Sequence, residues 1–357
     1  MPSRHFGQAD AYRFSLMQPR LSRTRHMRYD ICAIGNALVD LEFNVTDDEL
    51  LDLGIEKAQM TLMDADRRLE LLHRLKDQTP RRTGGGSAGN TIVALQQLGG
   101  QAFYSCRVAD DAFGRFYADD LAAHGIQSCV HRSKTDGHTG TCLVMITPDA
   151  ERTMCTHLSV SAELNASDVD AAAIRSSAIY YMEGYLAASP SGLAATILGR
   201  TIATEAGVQL ALTLSDVSMI QFCRAGLEAM LGDGVDFLFA NEAEIKAWFG
   251  ESDFDALIPS AAALAKMVCI TRGADGCVIL HAGEIIQVAS PKVKPIDTNG
   301  AGDMFAGAFL YAIRQGESPE RAGALATHAA SAVVAQHGNR MPTATLQSIR
   351  DEWATAQ

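Results

Sequence analysis

The run Asp297-Thr298-Asn299-Gly300-Ala301-Gly302-Asp303 is the segment of this sequence best equipped for chemistry. Gly300, Ala301 and Gly302 carry little or no side chain, and the helix-forming stretch that follows, residues 301–314 closed by Gly316, leaves their amide groups uncovered at a helix N-terminus. Unpaired donors and the positive end of the helix dipole attract an anion, and a phosphoryl group fits there. Asp303, in the first helical turn, would repel a phosphate. It makes sense as a general base that takes a proton from an attacking hydroxyl while the amides hold charge on the transferring group. An aspartate in a first turn is also an ordinary partner of the helix dipole, and the local sequence leaves both readings open.

A second glycine cluster, Gly84-Gly85-Gly86-Ser87-Ala88-Gly89-Asn90, enters another helix-period stretch. Its spacing imitates a phosphate-binding loop, but Asn90 stands where the lysine must follow, which argues against that mode of ATP binding. A loop without bulky side chains, followed by an amide that both donates and accepts, suits a neutral polyhydroxyl ligand; a tight strand-to-helix turn is the other reading.

The elements that must position these loops follow from periodicity. Short apolar runs at 30–34, 101–106, 178–182, 208–212, 237–240 and 267–270 alternate with helix-period segments such as 91–98, the pattern of a mostly parallel α/β sheet flanked by helices. A further strand is expected to end at Asp297 and Thr298. Segments 41–62 and 130–158 break the rhythm; the second alternates apolar and polar residues around Pro148, Asp149 and Ala150, a hairpin signal. They are expected to form a small β-sheet lid over the ligand-binding edge of the main sheet.

Composition bounds the rest. With 357 residues, 47% apolar and 20% charged, the chain is long enough for a core that needs no metal or disulfide staple. A formal charge of -12 argues against a nucleic-acid partner, and the absence of an apolar run of about 20 residues argues against a membrane span. The eight cysteines are dispersed, as buried thiols of a reducing compartment are, so a cytoplasmic location is expected. Residues 1–26 hold five arginines against one acid. This extension is expected to be disordered or to precede the true initiator Met27, with a transit peptide as the competing reading. Residues 346–357 are expected to be a tail.

The two signatures GGGSAGN at 84–90 and DTNGAGD at 297–303, in this order, resemble those of the PfkB or ribokinase-like carbohydrate kinases. The resemblance runs from about Met27 to Pro342 and implies a ribokinase-like central sheet with a β lid, in agreement with the pattern reading. It makes Asp303 the catalytic base, and Gly300, Ala301 and Gly302 the anion hole. It places Asp40 and Asn36, in AIGNALVD, with Gly85, Gly86 and Asn90 on the sugar side. It places Asn241 and Glu244, in FANEAEI, at Mg²⁺ and phosphate, and Thr271, Gly273 and Gly276, in ITRGADG, around the nucleotide. Asp297 and Thr298 match the positions of a monovalent cation, often K⁺. Arg152, in DAERTM, is a candidate clamp over the phosphates.

Within the family, YDICAIGNALVD and GIEKAQMTLMD look most like the bacterial adenosine-kinase-like branch, with Met60 and Leu62 lining a purine slot. The resemblance thus implies an ATP- and Mg²⁺-dependent kinase acting on a hydroxymethyl group, adenosine to AMP first. The alternatives are a fructokinase- or ribokinase-type enzyme and a non-catalytic nucleoside- or sugar-binding protein on the same fold. The expected partners are that small molecule and ATP, with the chain a monomer or homodimer.

Overall fold

The computed structural model describes residues 28–130, 136–149 and 151–355; the N-terminal extension expected at 1–26, and Ala150 of the expected hairpin turn, lie outside these. Two sheets organise the chain. The larger has nine strands. Seven of them, Tyr29–Ile34, Ala102–Ser105, Gln127–Ser128, Ser177–Glu183, Gln209–Thr213, Val235–Asn241 and Ala265–Thr271, run parallel, with Gln127–Ser128 at one edge. Cys277–His281 and Glu284–Val288 then turn back antiparallel at the other edge. The inner parallel runs are rich in Ile, Val, Leu, Phe and Tyr and are almost wholly buried, as strands covered by helices on both faces must be, whereas the edge strand Glu284–Val288 is largely exposed.

One helix layer contains Ser87–Gln97, Ala301–Arg314 and Pro319–Val334, and places Phe305 and Phe309 in the core. The other face buries Tyr180, Met182 and Leu212 beneath Pro190–Glu205 and Val217–Leu231.

The smaller sheet has five strands: Leu38–Asn44, Met60–Leu62, Arg81–Gly85, Gly140–Ile146 and Arg152–His157. The segments 41–62 and 130–158 supply three of them and part of a fourth. Arg81–Gly85 was not expected, since its sequence RRTGG has no strand pattern; it pairs antiparallel with Leu38–Glu42 at an edge. Met60–Leu62, parallel to Met154–Thr156, forms the opposite edge. Both sheets are reached from Tyr29–Ile34, because Gly35, Asn36 and Ala37 lead straight from the main sheet into Leu38–Asn44.

Two other expectations change. Residues 291–298 form no strand: Ile296 and Asp297 donate instead to the carbonyl of Val334 at 2.8 and 3.0 Å, and most of the segment is exposed. The stretch expected as a tail belongs largely to the helix Thr343–Thr355, which buries Leu346 and Ile349 and whose Arg350 Nη1 donates to the Leu98 carbonyl at 2.9 Å.

Candidate active site

The C-terminal ends of the main strands and the inner face of the smaller sheet enclose a cavity of about 540 Å³, where open α/β folds bind ligands. At its floor the helix Ala301–Arg314 begins. Its N-cap is Gly300 at φ +76°, which no side chain caps, and an added Cβ on Gly302 would meet nothing within 4 Å, so the turn presents the amides of Gly300 and Gly302 to the cavity while Ala301 N makes a long, 3.3 Å bond to the Thr298 carbonyl.

Asp303, the third residue of that helix, is gripped from the facing helix. Ser87 Oγ donates to one carboxylate oxygen at 2.6 Å and Asn90 Nδ2 to the other at 3.0 Å. Burial pushes the Asp303 carboxyl above its ordinary value, while these two donors and the Arg340 guanidinium pull it back. The carboxylate is thereby kept oriented and made a stronger base than a free aspartate.

Asp40 faces this turn from the smaller sheet, 7% exposed. Burial raises its carboxyl to about 7 against the opposing pull of Arg340 and of Asn339, whose Nδ2 donates to Asp40 Oδ2 at 2.8 Å. The glycines of the first signature make room for it. A Cβ on Gly85 would stand 2.4 Å from Asp40 Oδ1, and one on Gly86, at φ +89°, would stand 2.0 Å from the Asn36 carbonyl. Asn36 is locked by Glu183, whose Oε1 accepts from the Asn36 amide at 3.2 Å and from Nδ2 at 2.8 Å, while Oε2 accepts from Ala88 N at 2.8 Å. Asn36, Asp40, Gly86, Asn90 and Glu183 all line the cavity; Gly85 shapes it from behind Asp40.

At the other end, Asn241 caps the helix Glu242–Phe249 and forms a reciprocal pair with Glu244: Asn241 Oδ1 accepts from Glu244 N at 2.8 Å, and Nδ2 donates to Glu244 Oε1 at 2.7 Å. The N-x-x-E spacing is thus a capping box as well as a candidate site. Burial raises the Glu244 carboxyl to about 7. Glu244, Asn241 and the nearby Asp216 supply hard oxygen donors suited to Mg²⁺, which takes few protein ligands and fills its shell from phosphate and water. Thr271 and Gly273 also line this end. Gly276 does not: its φ of +86° and the Val288 carbonyl 2.0 Å from an added Cβ make it the glycine that turns the chain into Cys277–His281.

The structure separates Arg152 from the cavity lining. It opens the strand Arg152–His157 rather than sitting at a hairpin tip, and its guanidinium lies 2.9 Å from Asp297 Oδ2 and 3.6 Å from Glu42. The buried Asp297 carboxylate also accepts from Asn299 N at 3.0 Å and Gly338 N at 2.8 Å. The guanidinium and Gly338 N occupy Asp297 Oδ2 and already balance its charge, so this carboxylate fits a monovalent-metal ligand poorly. Thr298 lines the cavity. Met60 and Leu62 stand at its mouth, 38% and 59% exposed, beside Leu38, Met154 and Leu158.

Four residues at the centre of this geometry escape the sequence reading: Ser87, Glu183, Asn339 and Arg340. Ser87 lay inside a motif already singled out, and Glu183 closes an apolar strand as a lone acid, a usable signal. Nothing local marks Asn339 or Arg340.

The chain matches the family model described as pfkB family carbohydrate kinase over residues 56–346, more than half its length. It belongs to that family. Among solved structures, the probable sugar kinase from Rhizobium etli is 33% identical with a TM-score of 0.85 and covers 92% of this chain and 99% of its own. The adenosine kinase from Sinorhizobium meliloti is 34% identical with a TM-score of 0.84, covering 91% and 99%. Adenosine kinase 2 of Arabidopsis thaliana is 26% identical over 340 residues, 87% of this chain and 95% of its own. This pfkB-family protein is therefore a phosphotransferase with an alcohol group as acceptor, a sugar or nucleoside kinase. No helix among the described residues is long and apolar enough to cross a membrane.

Proposed function

We propose that this kinase transfers the γ-phosphoryl group of ATP to the hydroxymethyl group of a nucleoside, with adenosine the best acceptor and AMP the product. One observation carries the reading: the bare amides and Asp303 share one cavity with Asp40, beneath an apolar wall of Leu38, Met60, Leu62, Met154 and Leu158. Asp40 suits ribose hydroxyls, and the wall suits the flat apolar face of a purine. The likeness to the Sinorhizobium meliloti enzyme adds support.

In this reading Asp40 and Asn36 hold the sugar so that its hydroxymethyl oxygen points at Asp303. Asp303 takes the hydroxyl proton as the oxygen attacks, and the amides at Gly300, Ala301 and Gly302 stabilise the charge on the transferring group. Asn241 and Glu244 would hold Mg²⁺ through water; the ion neutralises nucleotide phosphate charge. Thr271 and Gly273 flank the nucleotide. The smaller sheet keeps water away from the reacting atoms. Arg152, paired with Asp297 and Glu42 outside the cavity lining, is given no step over the phosphates, and none is assigned to K⁺.

A free sugar is the competing acceptor, favoured by the likeness to the Rhizobium etli sugar kinase. The test is ADP release from Mg-ATP against adenosine, other nucleosides, ribose and fructose, with Asp303→Asn as control. Turnover on adenosine, lost in the variant while adenosine still raises its melting temperature, supports the reading; full activity of Asp303→Asn sinks it.

A further inference from the structure

Asn339 lies in the loop after the helix Pro319–Val334 and is 5% exposed, yet it lines the cavity. Its Nδ2 donates to Asp40 Oδ2 at 2.8 Å. Ionised Asp40 only accepts, which sets the amide nitrogen toward Asp40 and the amide oxygen away from it. That oxygen, Oδ1, is buried and finds no hydrogen-bond partner among the described residues. Buried polar atoms are rarely left unpaired, and one at a ligand cavity calls for a donor on the ligand.

The placement makes the donor identifiable. The Asn339 carbonyl and Cβ would each lie 2.8 Å from a Cβ built on Gly300, so the residue rests directly on the anion hole. Its neighbours tie the same loop to both half-sites: Gly338 N donates to Asp297 at 2.8 Å and Arg340 Nε to Asn90 Oδ1 at 3.0 Å. Asn339 therefore sits between the group that receives the phosphoryl charge and the carboxylate that faces the sugar. Asp40 and the Asn339 oxygen form two adjacent acceptors joined by one hydrogen bond, a pattern complementary to a pair of neighbouring hydroxyl donors.

We propose that Asn339 is an acceptor-specificity residue: its Oδ1 takes the proton of one ring hydroxyl of the ribosyl group while Asp40 takes that of its neighbour. This rests on the function proposed above. Asn339 thereby selects for the vicinal diol and against deoxy sugars.

The test compares kcat/KM of wild type and Asn339→Ala on adenosine, 2′-deoxyadenosine, 3′-deoxyadenosine, ribose and 2-deoxyribose. The expected result is a 10- to 100-fold loss on the fully hydroxylated acceptor, mainly in KM. At least one deoxy analogue should be changed less than about threefold, so that the wild-type preference collapses. An equal loss on every acceptor would mean a merely structural role and overturn the inference. If Asn339→Ala does not fold, as its melting curve would show, Asn339→Gln carries the same comparison with the oxygen displaced by one methylene. Wild-type turnover of ribose but not adenosine overturns the nucleoside reading alone, and the specificity comparison then runs on ribose against 2-deoxyribose. A wild type inert toward every acceptor overturns both.

Discussion

Replacing Ser87 by alanine should move the acid limb of the pH–rate profile upward. Ser87 Oγ donates to Asp303 Oδ1 at 2.6 Å, and this bond favours the charged carboxylate in a site where burial opposes it. A hydrogen bond to a charged group contributes about 1.5–3 kcal/mol, and each pKa unit corresponds to about 1.4 kcal/mol. Loss of the donor should therefore raise the Asp303 pKa further and lower kcat/KM on the acid limb by about 10- to 100-fold. A protonated Asp303 cannot accept the substrate proton, so below the limb activity falls about tenfold per pH unit. The assay is kcat/KM for adenosine from pH 5 to 9. Asp40 and Glu183, each pushed up to about 7, titrate in the same window, so the informative quantity is the difference between the two profiles. Ser87→Ala should recover to within a few-fold of wild type at pH 9, and Ser87→Thr, which keeps the hydroxyl, should restore the limb. An unchanged limb beneath a lowered plateau would refute the assignment of Asp303 as a base tuned by Ser87.

Other outcomes follow from the same geometry. Asp303→Asn should lower kcat by about 10²–10⁴ in the ADP-release assay while leaving thermal stabilisation by adenosine intact. Gly86→Ala forces a Cβ to within 2.0 Å of the Asn36 carbonyl at φ +89°, and should cost about 3 kcal/mol in a denaturant titration; an unchanged midpoint would contradict the turn geometry. Burial lifts Glu183 from 4.5 to about 7, so between those values the native state binds more protons than the unfolded chain, and stability should fall as pH rises through that window and level off above it. Glu183→Gln should flatten this slope by on the order of 3 kcal/mol, read from melts at pH 5 and 8. Asn241→Ala removes the N-cap of Glu242–Phe249 and should cost about 1 kcal/mol of stability. If Asn241 and Glu244 also organise the nucleotide, the KM for ATP should rise in the same variant; a stability loss alone would leave the pair purely structural.

Much of this molecule could be read before its structure. The central strands announce themselves because burial on both faces demands continuous apolar runs, and the two glycine signatures because Gly86 and Gly300 occupy positive φ, where few other residues are tolerated. What could not be read depends on contacts without local cause. Arg81–Gly85 becomes a strand only because Leu38–Glu42 offers an edge. Residues 291–298 look extended but lack a neighbouring strand, and bond a helix end instead. The expectation of Arg152 over the phosphates rests on its charge and its place in the lid hairpin, and its pairing with Asp297 joins positions far apart in the chain. Glu183 and Asn36 likewise lie 147 residues apart, a distance at which no local pattern signals contact.

The bond between Asp40 and Asn339 closes a loop of 299 residues, and Asp303 reaches Ser87 across 216. During synthesis, therefore, the first strands and the first glycine signature emerge long before the residues that complete the site, and a nascent chain lacking the last few dozen residues holds most of the sheet without a working base, anion hole or closed sugar pocket. Such a chain should neither bind acceptor tightly nor consume ATP. Competence has to await the synthesis of segment 296–341, so partial products of translation should be inert rather than wasteful.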